Sequence, residues 1–450
     1  MNLKDFKDEK VLLLGKSRAF DKDEFEAQLK SHKIVSVNQF DADVSLIIDG
    51  KMMTPYEQNE SDRLYESYSK DKTFISIDEL EKELAKHIDA DTLLMSLKLS
   101  KNKERLKSFI QNSMIDDELF FRLLKMYSWR GEDFFENDDN RDASAALILR
   151  FYKNIERNHN VQYAASGILH LISQSHDEKL IRAVAELEPL QKSMHTGGAN
   201  ENILLAIAVH PSTPKDILGA FIKKGGSKLK AVIAMRDDCD DKMQEMLYSL
   251  DDKRVTEALC ESANLSKELF FKLYETDMYA KKISKNMKLD DELFETLIKR
   301  YPKETAQNRS LSLDMQTKLC DLDIHDVDME LAKNVSLHVE TAKRLLQKDK
   351  KDLSFELYAN KATSSVSLEE AYEDAQNHIA LAGNENTPVH ILTRLGESQD
   401  KEILKALAKN VNTPVELLYQ LQLDSRVARA VKENPSFGRY IQQENIGWEV

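Results

Sequence analysis

The chain is 450 residues long, 41% apolar and 32% charged, with 64 Lys plus Arg against 78 Asp plus Glu and a formal charge of -14. One hydrophobic core stops growing at roughly 250–300 residues, so this length predicts two regions or a repeat array; 13 Gly and 8 Pro are too few for a collagen-like or low-complexity chain. The acidic balance excludes the broad basic face that holds proteins to DNA or to anionic membranes, leaving only local patches.

Cys239, Cys260 and Cys320 stand at no CxxC spacing, which predicts neither a disulfide framework nor a zinc knuckle and suits a reducing cytoplasm. The opening MNLKDFKDEKVLLLG has charges throughout and an apolar run of only four residues, so neither a secretory signal nor a membrane span is expected there.

In the first hundred residues the strand-like runs VLLLG (11–15), IVSV (34–37), DVSLIID (43–49) and FISI (74–77) are interspersed with the helical KDEFEAQLKSHK (22–33), SDRLYESYS (61–69) and IDELEKELAKHI (77–88). Such alternation predicts a small parallel or mixed sheet with flanking helices. The order strand, helix, strand, strand, helix, strand, helix resembles a BRCT domain, with DVSLIIDGK at its third strand and following turn; a flavodoxin-like or receiver-like half domain fits the same order. Ser31 and His32 replace the BRCT glycine pair, and the last helix lacks the usual tryptophan. The resemblance implies a phosphopeptide site in which a Ser or Thr and a Gly after the first strand act with a Lys near the second helix. Gly15, Ser17 and Lys51 are the nearest matches. Taken alone, Ser17 is a polar turn residue and Lys51 a solvated side chain.

Gly15-Lys16-Ser17 follows a strand as a P-loop does, but Lys10 stands where that motif needs its first glycine, so phosphates have no backbone cradle. An enzyme hidden in this domain would draw on Lys16 and Asp43. No HExxH, GxSxG, GxGxxG or complete EF-hand loop occurs.

From Asn112, NSMIDDELFFRLLKMY matches NMKLDDELFETLIKRY from Asn286 position by position, placing the start of a repeat array near residue 100. Between 128 and 200 the frame is lost; ASAALILRFYKNIERN (143–158) and EKLIRAVAELEPLQKS (178–193) read as longer helical hairpins. The cluster ENDDNRD (136–142) lacks the mid-loop Gly and terminal Glu of a calcium site, and neither His170 with His176 nor His325 with Asp326 and Asp328 has a metal-binding spacing.

The main array is anchored at His210, Arg236, Ser262, Asn286, Asn308, Asn334, Asn360, Asn384, Asn410 and Asn434, with steps of 22, 24 or 26 residues. Three residues earlier stands an apolar side chain in nine of ten cases, and two earlier Ala, Cys or Ser in eight. Apolar residues seven and eleven after the anchor, such as Leu293 and Leu297, share one face of a short helix. Thr387-Pro388 and Thr413-Pro414 read as an N-cap followed by Pro at the first helical position, with Asp290 and Ser266 as caps elsewhere. The anchor Asn is expected to take a left-handed conformation or to hydrogen-bond the turn backbone. Cys260 occupies the small position of its repeat and reads as a packed thiol.

NTPVELLYQLQLDSRVARAVKENP, at 412–435, resembles the leucine-rich repeat variant, a HEAT-like repeat of alternating α-helix and 3₁₀-helix. That resemblance covers roughly residues 203 to 440 and implies a right-handed superhelix. Some members carry an iron-sulfur cluster ahead of the repeats; this chain has no cysteine before Cys239, so neither a cluster nor another cofactor is implied.

The fold expected is mainly α: a right-handed α-solenoid of 22–26-residue helical repeats preceded by a small α/β domain, with divisions at 1–100, 101–202 and 203–450. Such an architecture suits a non-enzymatic scaffold for a protein partner. The competing reading, a nucleic-acid-binding or DNA-repair protein of the HEAT-like class, is what the HEAT-like and BRCT resemblances also imply. Charge speaks against it, since the one mildly basic stretch holds Arg394, Lys401, Lys405, Lys409, Arg426, Arg429 and Lys432, and Trp129 and Trp448 offer few stacking surfaces.

Overall fold

The computed structural model describes residues 3–17, 19–86, 88–131, 133–152, 161–196 and 198–443; Trp448 and the end of the 143–158 segment lie outside them. The protein is mainly helical, and no described helix is long and apolar enough to cross a membrane. Its chain forms two compact units, residues 1–233 and 234–450.

The first unit opens with β1 (Lys10–Leu14), α1 (Lys22–Ser31), β2 (Val35–Val37), β3 (Val44–Asp49), α2 (Pro55–Tyr68), β4 (Thr73–Ser76) and α3 (Ile77–Ala85), in the order expected from the sequence. All strands are parallel, arranged β2-β1-β3-β4. Parallel strands are covered on both faces, and Val11, Val44, Ile47 and Ile48 are fully buried. Helix α2 begins six residues before the predicted 61–69 segment. Thr54 and Glu57 close a capping box ahead of Pro55 at its first position, a start signal that lies outside the apolar period.

Next come α4 (Ala90–Ser100), α5 (Lys103–Ile110), α6 (Asp117–Met126) and α7 (Asp138–Phe151). Buried Arg105 on α5 donates from Nε to the Ala19 carbonyl at 3.0 Å and from a guanidinium nitrogen to Ser96 Oγ at 2.9 Å, and pairs with Glu24. These bonds fasten the sheet domain to the helices that follow. At the predicted early repeat, Asn112 Oδ1 accepts from Met114 N at 2.9 Å and Asp116 caps α6. The expected hairpin helix at 178–193 is two helices, Glu178–Ala185 and Glu188–Ser193. Pro189, in the first turn of the second, has no N–H with which to continue the first.

In the second unit, helices alternate between two rows. Lys253–Glu261 packs on Asp277–Asn286, and the row continues through Pro302–Ala306, His325–Lys333, Lys351–Ala359, His378–Gly383, Lys401–Lys409 and Ala428–Lys432. The second row includes Asp291–Ile298, Leu313–Asp321 and Val339–Leu346 in succession. Side chains three before the anchor, from Ile233 to Val431, are all fully buried. Those seven and eleven after it are buried too, among them Leu269, Leu293 and Ile391 with Leu273, Leu297 and Leu395. Each such leucine contributes roughly 1.5–3 kcal/mol on leaving water.

Three expectations for the repeat are corrected. Both members of each pair are α-helices, with one 3₁₀ turn at Ala375–Asn377, where the resemblance implies α/3₁₀ alternation; second-row helices of about eight residues are long enough for i→i−4 bonding. Thr387 and Thr413 do not cap the following helix. Their hydroxyls donate backwards to the Leu381 and Leu407 carbonyls at 2.7 Å, and Pro388 and Pro414 hold the N-cap position that Ser266 and Asp290 fill elsewhere. At Asn286 the frame slips by one residue: Asn286 is the exposed last residue of its helix, and buried Met287 takes the C-cap.

Candidate interaction surface

The structure brings Gly15, Ser17 and Lys51 near one another. Lys16 and Lys51 exchange backbone hydrogen bonds of 2.8 Å at the end of β1. Gly15 takes φ +87°, and a Cβ there would lie 2.8 Å from the Lys51 carbonyl. Every donor a phosphate would use is met by a carboxylate. Gly15 N donates to Glu57 at 3.3 Å, Ser17 Oγ to buried Glu81 at 2.6 Å and Lys51 Nζ to Asp78 at 2.6 Å. Ser17 Oγ also accepts from Phe20 N at 3.0 Å, as a turn residue does. Hydrogen bonds from the Thr54 backbone and side chain hold the Glu57 carboxyl below its ordinary range, keeping it an anion. Lys16 and Asp43 sit at opposite ends of β1, and Asp43 pairs with Lys10 at 3.0 Å.

The other sequence candidates have local partners. Asn137 caps α7, while Asp139 pairs with buried Lys107 at 2.6 Å and Asp142 lies 3.6 Å from it. His170 stacks on Tyr152 at 4.2 Å. Asp328 is fully buried beneath Lys348 at 2.7 Å, whereas exposed His325 meets Asp352 at 2.8 Å. Burial opposes the charge on Lys348, but hydrogen bonds to Asp328 and Asp323 outweigh it and raise its pKa. Among the described residues no three His, Cys, Asp or Glu gather as metal ligands. Burial pushes the Cys260 thiol up to about 12. In the C-terminal basic stretch, Arg426 pairs with Asp424 and Arg429 with Glu433, at 2.6 and 2.9 Å.

The anchor asparagines form a ladder. Asn334 Nδ2 donates to the carbonyls of Ala306 and Asn308, at 2.9 and 2.7 Å. Asn360 reaches Ala332 and Asn334, Asn384 reaches Tyr358 and Asn360, Asn410 reaches Ala382 and Asn384, and Asn434 reaches Ala408 and Asn410. The same side chains accept through Oδ1 from the amide two residues on, as Asn384 does from Asn386 N at 2.8 Å. The anchor residues are extended, not left-handed: Asn384 has φ −82° and ψ 126°. One amide thus satisfies two carbonyls at the end of the preceding repeat's helix and one N–H in the turn that follows its own helix.

A second clamp was not foreseen. Buried Gln316 donates to Leu311 O at 3.4 Å and Ser336 O at 2.9 Å while accepting from His338 N at 2.9 Å. Gln244 repeats the pattern three repeats earlier in the array, with Cys239 O, Asn264 O and Ser266 N. The available signal was a glutamine eight residues after the anchor, where Phe270, Phe294 and Leu392 stand in other repeats.

The ladder also fixes an edge, because residues beside each anchor recur at the same place on successive repeats. Two grooves open along it. One, of 710 Å³, is lined by Lys285, Asn286, Lys288, Gln307, Arg309 and Ser310; the other, of 420 Å³, by Lys333, Val335, Glu356, Lys361, Asn384 and Glu385 among others. Lys288, Arg309, Lys333 and Lys361 are exposed. Lys333 lies 3.7 Å from Glu356, whereas Lys285, Lys288, Arg309 and Lys361 make no ion pair among the described residues. A groove of 640 Å³ in the first unit, floored by Phe121 and Leu124, differs in that its Arg182, Lys125 and Arg122 are paired with Asp216, Glu186 and Asp91.

No family model matches this chain, and neither a curated protein nor a solved structure matches it.

Proposed function

We propose that the protein is a non-enzymatic interaction scaffold: a right-handed α-solenoid of the leucine-rich-repeat-variant kind, carrying a BRCT-like head, that binds a protein partner along its repeats. The asparagine ladder carries this reading. Nearest-neighbour clamps repeated at a fixed place make a quasi-one-dimensional stack, and such stacks present extended surfaces suited to macromolecular partners. The amides of Asn334, Asn360, Asn384, Asn410 and Asn434 are all committed to the backbone, so the polar residues most conspicuous in the sequence serve architecture.

In the head, three carboxylates occupy the donors that a phosphopeptide would need, which favours a structural role for Ser17 and an unphosphorylated contact. Cys239, Cys260 and Cys320 form no disulfide, which supports placing the protein in a reducing cytoplasm. Affinity capture with the full chain from cells that make it is expected to recover a stoichiometric protein. Repeated recovery of none would contradict the reading.

A further inference from the structure

We infer that the ladder edge from Lys285 to Lys361 is the docking site for an extended acidic segment of the partner protein. The inference rests on the scaffold reading and adds the surface and the partner's chemistry.

Charge is the first argument. The chain as a whole carries -14, yet its two edge grooves bring together Lys285, Lys288, Arg309, Lys333 and Lys361 against Glu356 and Glu385. Before this basic run the edge carries Glu261 and the Arg236–Asp238 pair, the latter at 2.6 Å, and after it come Glu385, one further exposed lysine at Lys409, and Glu433. Some lysines elsewhere in this unit meet carboxylates, as Lys282 does with Glu257 and Glu261 and Lys303 with Asp326, while others, Lys299, Lys343 and Lys401 among them, make no ion pair among the described residues. What sets the edge cations apart is that they line shared grooves. Cations without such partners gain from an anion laid along them, and complementary charge sets register and speeds encounter.

Shape and hydrogen bonding narrow the partner. At roughly 8–10 Å per helix-to-helix step, the edge between Met287 and Asn384 spans on the order of 30–40 Å, the reach of about 10–12 extended residues. Exposed Asn286 and the half-buried Gln307 line the larger groove. Their amide nitrogens donate to the Lys282 carbonyl and to Glu330, both at 2.9 Å, so it is their side-chain oxygens that a peptide N–H would meet. No aromatic side chain stands at or beside the anchors of these repeats. Bases would find nothing to stack on, so an acidic polypeptide fits better than a single-stranded nucleic acid.

The test uses the full chain and a labelled synthetic peptide of about 12 residues with Glu at every third position, near the spacing of the basic side chains. Fluorescence anisotropy compares wild type with Lys285→Glu/Arg309→Glu/Lys361→Glu. A control of equal charge change, Lys299→Glu/Lys343→Glu/Lys401→Glu, alters exposed residues away from the edge. Matching circular dichroism shows that both variants fold. The edge variant is expected to weaken binding about tenfold or more and the control to leave it nearly unchanged. Equal losses in both variants, no binding by wild type, or tighter edge-dependent binding of a single-stranded oligonucleotide would each overturn the inference. Capture from the native host separates the two proposals. A partner retained by the edge variant refutes the edge while the scaffold stands, and no partner on wild type refutes the scaffold itself.

Discussion

Asn410 Nδ2 donates to the main-chain carbonyl of Asn384 at 2.9 Å, across 26 residues of sequence. The same donor meets the Ala382 carbonyl at 3.0 Å, and Asn410 Oδ1 accepts from Asn412 N at 2.9 Å. A single buried amide therefore joins two repeats and shapes the turn between helices, which explains why asparagine recurs where another polar residue would supply only part of the set.

Asn384→Ala is expected to cost about 2–4 kcal/mol, because it leaves two buried carbonyls and one turn amide without partners. Asn384→Asp should cost more than Asn384→Ala: it keeps the acceptor for Asn386 N but sets a carboxylate against the carbonyls of Tyr358 and Asn360. Urea titration of the full chain checks the order. An aspartate variant as stable as wild type would remove the ladder from the account.

Lys348→Met strands the fully buried Asp328 carboxylate. A loss of roughly 3–5 kcal/mol is expected, with most of it restored by the double variant Lys348→Met/Asp328→Leu. If the single variant unfolds at the same urea concentration as wild type, Asp328 has another partner.

Asp139 provides a pH-dependent test. The hydrogen bond from Lys107 holds its carboxyl below the ordinary range, against the opposing effect of burial. A depressed folded pKa contributes stability that is present above the unfolded value of about 3.9 and is lost as pH falls through the folded value. Asp139→Asn should be less stable than wild type at neutral pH, and the two should converge on acidification below pH 4. Trp129, buried in the same region, reports this by fluorescence. A stability difference that stayed constant down to acid would contradict the pairing.

Cys260 is fully buried, and its thiol is pushed up to about 12 by burial. Thiolate is the reactive form, so iodoacetamide at pH 8 should leave Cys260 unmodified in the native protein and label it readily in urea. Native labelling at the rate of the unfolded chain would show that this repeat opens.

Much of the repeat was legible because its signals are local. The apolar positions three before and seven and eleven after each anchor were read from spacing, and all the sites named for them are buried. The partners of the anchor amides were not legible, since they are backbone carbonyls 21–28 residues away that leave no mark on side-chain identity. The slip at Asn286 was hidden for a related reason. An asparagine stood where the frame wanted one, while the residue that ends the helix is the apolar Met287. In the head, the order of strands followed from alternation, but the carboxylates that meet Gly15, Ser17 and Lys51 come from Glu57, Glu81 and Asp78, 42, 64 and 27 residues further along. The basic edge was missed because its lysines are spread over several repeats and dilute into an acidic composition; only the ladder aligns them.

The most direct test of the account is photocross-linking in the native host from benzoylphenylalanine placed at Arg309 on the ladder edge, compared with the same residue at Lys299, where the helix Asp291–Ile298 ends away from that edge. The account predicts that the probe at 309 joins an acidic segment of one partner protein and that the probe at 299 does not. Equal cross-linking from both positions, or a partner joined only from 299, would contradict it.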